Sequence, residues 1–74
     1  MAKEYLVVLF PRDRRVMIHD VVMGRTNKRL ELEGGKYDVT LGPPKNFTPP
    51  QHQIDLRDTS SLMPLVIAFE DVRQ

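Results

Sequence analysis

Apolar and polar residues that alternate with a period of two constrain this chain more than any other feature. Leu30-Glu31-Leu32-Glu33 sets leucines on one face and carboxylates on the other, and Tyr37-Asp38-Val39-Thr40-Leu41 repeats the pattern. Successive side chains of a strand point to opposite faces, so both runs read as half-buried strands. Gly34-Gly35 lies between them, and glycine accepts positive φ without penalty, so the two runs are expected to pair as a hairpin. No stretch keeps a helical period over a useful length.

The remaining segments fit the same class. Residues 5–10 are β-branched and aromatic on both faces and end at Pro11, as a central or covered strand would. Val16 and Ile18 share one face of the next run, with Met17 and His19 on the other. Asp20 opens a connection through Val21, Val22 and Met23 to Gly24. Residues 42–50 carry four of the six prolines, which have no N–H for a ladder, so this is a loop, with Phe47 as a plug over the core. Ile54 and Leu56 face inward from a further strand, and 58–61 form a turn. Residues 65–69 make a last strand, continuous enough to be buried. The expected fold is a small all-β antiparallel sandwich of about six or seven short strands. Its core would hold Val7, Val16, Ile18, Leu30, Leu32, Tyr37, Val39, Ile54, Leu56 and Ile67. One domain would span residues 1–74, ordered over about 4–69 with a frayed tail at 70–74.

Size and composition restrict function. A domain of 74 residues buries only roughly 60% of its unfolded surface, which leaves a thin core and no deep cavity between lobes. Without cysteine there is no disulfide framework, thiolate metal site or cysteine nucleophile. A net charge of +1 gives no bulk argument for nucleic acid, and no apolar run reaches membrane-helix length. The N-terminal run has an acidic Glu4 and no small-residue cleavage site, so it reads as a mature strand. A cytoplasmic location is expected, or the cell envelope if the chain is part of a longer one.

No motif points to catalysis. Gly34-Gly35-Lys36 is followed by Tyr37 and a strand, whereas a phosphate-binding loop needs Ser or Thr there and a helix behind it. Gly24-Arg25-Thr26 reads as a turn in which the glycine takes the awkward φ and the Thr26 hydroxyl bonds nearby backbone. His19 and His52 lie on separate strands, with nothing to bring them together around a metal. Ser60 lacks a nucleophile elbow, although His52 and Asp55 would complete a triad on paper. Glu31 and Glu33 share a solvent-facing side of one strand. No enzyme activity and no cofactor are expected.

The order Pro11, Val16, Ile18, Gly24, Thr26, Leu30, Leu32, Gly35, Tyr37, Val39 and Leu41 resembles the PEGA-type domain, a small bacterial and archaeal β-sandwich repeat. Phe47 stands where that family has Gly-Tyr. Asp13-Arg14 replaces the usual Gly-Ala, His19-Asp20 the Asp-Gly, and Asn27 the proline after Gly-x-Thr. The resemblance covers residues 5–69 and implies a non-catalytic module attached to larger assemblies.

Two surfaces are candidates for contact. Arg12, Arg14 and Arg15 in one loop and Arg25, Lys28 and Arg29 in another would form a cationic patch for a nucleic acid or acidic glycan, if the loops share an end. Met17, Val21, Val22 and Met23 suit an edge contact with another protein or a second copy, giving a monomer or weak homodimer, and equally suit folding back on the core. A protein-interaction module is the leading reading, with polyanion binding second. If Gly35 occupies a positive-φ position, Gly35→Val lowers the thermal midpoint; an unchanged midpoint would remove that requirement.

Overall fold

The computed structural model of the protein describes residues 3–72. It contains strands and no helix among those residues: β1 (Lys3–Leu9), β2 (Arg15–Ile18), β3 (Val21–Arg25), β4 (Arg29–Glu33), β5 (Gly35–Leu41), β6 (Phe47–Thr48), β7 (His52–Leu56), β8 (Leu65–Ala68) and β9 (Glu70–Asp71). One sheet has the order β4-β1-β8, a second β3-β2-β5-β7, and β6 pairs with β9. The all-β class follows the alternation. One pair departs from antiparallel order, because β1 and β8 run parallel from Leu6↔Leu65 to Leu9↔Ala68.

The core lies between the two larger sheets. Leu6, Val8, Leu30 and Leu32 come from one, and Val16, Ile18, Val39, Leu41 and Leu56 from the other. Phe10 and Phe69 are also buried, and Tyr37, Phe47, Ile54, Leu65 and Ile67 pack against this cluster. Val7 is not a core residue: in β1 the even positions Leu6 and Val8 point inward, and Val7 and Leu9 face out. Residues 5–10 are apolar throughout, so alternation could not tell one face from the other. β8 is an edge strand with Val66 and Ala68 exposed, not the buried strand its continuous apolar run suggested. The expected plug is present, with Phe47 edge-on to Phe69 at 5.4 Å between centroids.

The expected hairpin at Gly34-Gly35 does not form. β4 pairs with β1, and β5 pairs with β2 and β7, so the chain crosses from one sheet to the other at Gly34. Alternation marks which face is buried but not which strand lies alongside. Facing Leu30 and Leu32 against Val39 and Leu41 across the core satisfies the pattern as well as a hairpin would. The β4–β1 pairing is supported by Lys3 opposite Glu33 and by Tyr5 opposite Glu31, with a 3.4 Å bond from Tyr5 Oη to Glu31 Oε1. At the crossing Gly35 has φ of 151°, a conformation L-residues rarely adopt, and Tyr37 Oη donates to Glu33 O at 2.7 Å.

The hairpin that does form joins β2 to β3 through His19-Asp20. Both residues have positive φ (51° and 63°), as a two-residue hairpin turn requires. Glycine is absent from this turn, and three consecutive apolar residues follow it, so residues 21–24 read as a connection. Gly24 takes no unusual φ. It leaves room for Leu30, whose Cδ2 would collide with a Cβ there. In the connection from β3 to β4 the left-handed residue is Asn27, with φ of 64°.

Thr26 and Asn27 hold the segment between β1 and β2. The buried Thr26 hydroxyl donates to Arg12 O at 2.7 Å and accepts from Arg14 N at 2.9 Å, and Thr26 N donates to Arg14 O at 2.9 Å. The Asn27 carboxamide donates to Phe10 O at 2.8 Å and accepts from Phe10 N at 3.1 Å, and Asn27 N donates to Val8 O at 2.7 Å. These side chains stand in for a strand partner. The segment 70–72, expected to fray, is also tied in: β9 pairs with β6, and Val72 N donates to Asn46 O at 2.8 Å. The last two residues lie outside the described ones. Thr26→Val keeps the shape but removes the hydroxyl, leaving Arg12 O and Arg14 N without that partner. It should cost about 2 kcal/mol of unfolding free energy in urea titration, whereas a loss under about 0.5 kcal/mol would mean that water replaces the hydroxyl.

Candidate interaction surface

The two basic loops do not present their charges as one free patch. Arg12 pairs with Asp71. Arg14 donates to Gly42 O at 3.2 Å, Pro44 O at 2.9 Å and Asn46 Oδ1 at 3.1 Å, and its guanidinium lies 5.2 Å from the Phe10 ring centroid. It thereby ties the proline-rich loop to the end of β1. Arg29 sits over the Tyr5 ring at 5.5 Å and donates to Ser61 O at 3.0 Å. Arg25 lies 3.9 Å from Asp13, with both side chains exposed, and such a pair contributes little. Arg15 and Lys28 are exposed and make no ion pair among the described residues.

The residues weighed for chemistry are engaged separately. His52 Nε2 is 2.7 Å from Ala68 O and its ring lies edge-on to Phe69 at 4.7 Å. Asp55 pairs with Arg57 at 2.7 Å, and Ser60 Oγ accepts from Met63 N at 3.1 Å. His19 lies beside Tyr37, with 6.4 Å between centroids. Among the described residues no three of His, Asp or Glu gather where they could hold a metal ion. No helix there is long and apolar enough to cross a membrane.

The edge residues are drawn together. β3 ends the four-stranded sheet with β2 as its one neighbour. Val21, Val22 and Met23 are 56%, 49% and 42% exposed, so they project to solvent and do not fold back on the core. β3 is the end strand and leaves one side uncovered, and a bulge displaces Met23: Val16 pairs with Gly24 and Met17 with Val22, which leaves Met23 as the extra residue. Met17, half-buried beside Val22, also lines a groove of about 600 Å³ together with Pro43, Phe47 and Pro50 and the charged Asp20 and Lys45.

A second apolar area was not legible in the sequence. Leu9 and Val66 are exposed on the outer face of the three-stranded sheet, and Leu62 (89%) and Met63 (74%) lie in the loop leading into β8. The sequence signal was Leu-Met within a serine-rich turn, where polar residues are usual. That loop is firmly held. Ser60 and Met63 exchange backbone hydrogen bonds at 3.1 Å, and Thr59 Oγ1 accepts from Tyr5 N at 2.8 Å. Thr59 also donates to Glu4 Oε1 from its amide at 2.9 Å and its hydroxyl at 2.6 Å.

The chain matches no protein-family model, no curated protein and no solved structure.

The Thr59 side-chain and backbone bonds hold the Glu4 carboxyl below its ordinary value. Because the folded value is depressed, the anchor is fully present above the unfolded value and is lost as pH falls through the folded one. The Thr59 amide resonance should therefore titrate with a midpoint below that of an unperturbed glutamate, and Glu4→Gln should abolish the transition. A midpoint at the ordinary value would mean that the two bonds do not persist in solution.

Proposed function

We propose that this chain is a PEGA-like, non-catalytic interaction module that offers the β3 edge to an extended segment of another protein. The observation that carries the reading is three consecutive apolar side chains exposed on a strand with one free edge. A strand that adds to a sheet edge gains main-chain hydrogen bonds from the edge and specificity from side-chain contacts beside it. Here the neighbouring groove behind Met17 supplies such contacts. The positions that carry the family resemblance hold the frame of this edge. Thr26 is buried beyond the end of β3, Gly24 admits Leu30, and Val39 and Leu41 of β5 support β2. The polyanion reading is weaker, because Arg12, Arg14 and Arg29, three of the six basic side chains, are engaged in close intramolecular contacts.

Selection from a random peptide library, mapped by amide NMR, tests the reading. Selected peptides should shift the amides of Met17 and β3, keep their affinity from low to physiological salt, and fail against Val22→Lys. This exposed substitution should change stability by no more than about 0.5 kcal/mol. Binders that map to Arg15 and Lys28 and weaken steeply with salt would replace this reading with polyanion binding.

A further inference from the structure

The groove beside Met17 holds one acid and one base. Met17 and Thr40 line it and face each other across the β2–β5 ladder. Pro43, Phe47 and Pro50, from the segment after β5, add an apolar wall. Its volume of about 600 Å³ lies in the range of small-molecule sites, roughly 300–1,000 Å³, where an apolar lining with a few polar groups is usual. The acid is Asp20 and the base Lys45, and neither makes an ion pair among the described residues. Topology sets their places. Asp20 follows the C-terminal end of β2, and Lys45 follows that of β5. The two strands are antiparallel, so the charges stand toward opposite ends of the pair. The paired positions from Val16↔Leu41 to Ile18↔Val39 span about 7 Å at ~3.3 Å per residue, and both charged residues lie beyond them in the chain, which sets the charges on the order of 10 Å apart.

One acid and one base select against a ligand of a single sign. A polyanion would meet Asp20, a polycation would meet Lys45, and a hydrocarbon would take water from both without replacing it. A zwitterion with an apolar body suits every part of the lining. An extended peptide with free termini is such a molecule, and at roughly 3.3–3.6 Å per residue about three residues match the separation. We propose that this groove binds a short apolar peptide with free termini, about three residues long, its ammonium toward Asp20 and its carboxylate toward Lys45. Gln51, exposed and also lining the groove, has both a donor and an acceptor for the peptide groups between. The site does not rest on the free edge of β3 being a contact, because it is built from β2, β5 and the segments that follow them. Exposed charge pairs contribute little, so the affinity is modest and apolar burial supplies most of it.

Amide NMR titration with the tripeptide Ala-Leu-Ala tests it, beside the same tripeptide acetylated at its N-terminus or amidated at its C-terminus. The free tripeptide should shift the amides of Met17, Thr40 and Phe47. Each block removes one exposed charge pair and should weaken binding about fivefold. In Lys45→Gln the amide block should have no further effect, while the acetyl block keeps its own. In Asp20→Asn the acetyl block should be the silent one. Asparagine tolerates the positive φ of this position, so the turn is kept. Val22→Lys should bind the free tripeptide as the unaltered chain does. Equal affinity for free and blocked tripeptides overturns the zwitterion, and the two blocks exchanging their sensitivities between the variants overturns the orientation. No shifts at millimolar tripeptide, or shifts confined to other surfaces, overturn the site even if selected peptides bind β3. Tripeptide binding here without any selected peptide at β3 supports the site and leaves the edge reading to fail alone.

Discussion

One hydroxyl carries an unusual share of this fold. After β1 the chain must pass from one sheet to the other, and over residues 10–14 it has no neighbouring strand to satisfy its peptide groups. Buried peptide groups without partners are costly, and thin domains have little stability to offset them. Thr26 answers for Arg12 and Arg14, and the Asn27 carboxamide answers for both polar groups of Phe10. With that passage fixed, Phe10 is buried at the end of the core, and Arg14 is placed to hold the proline-rich loop over it. The edge strand β3 runs directly into Thr26, so this edge is anchored at one end by the same side chain.

Much of the core was legible because alternation is a direct record of burial. Val16, Ile18, Leu30, Leu32, Val39 and Leu56 could be placed inward from the sequence, and all are buried. The parity of β1 was not legible, since a run that is apolar at every position holds no record of its faces. Strand partnership was illegible for a different reason. The same leucines and valines meet whether β4 and β5 lie side by side or face each other across the core. What separates the two outcomes is which strands lie alongside, and the partners taken, β1 for β4 and β2 and β7 for β5, bring in residues distant in the chain.

The candidate surface shows the same division. Met17, Val21, Val22 and Met23 were visible as apolar residues in a place that did not look like a core, but their strand was hidden by its bulge. The arginine loops were visible as charge, and their engagement was not, because it depends on carbonyls and rings from other elements. Arg29 reaches across Tyr5 to Ser61, and Arg12 reaches Asp71, near the other end of the described residues. Basic residues that look available in a sequence can be the ties that close loops.

The parallel pairing of β1 with β8 also bears on how the chain is made. Leu6 lies beside Leu65, so the strand at the centre of its sheet gains its second neighbour from almost the far end of the described chain. During synthesis β1 leaves the ribosome before β8 and stays half-partnered until β8 emerges. Until then its all-apolar run is exposed along one edge, and contacts this distant in sequence form slowly. The region most open to misassociation in the nascent chain is therefore not the edge that stays exposed in the folded molecule. It is the strand that the finished fold places at the centre of a sheet.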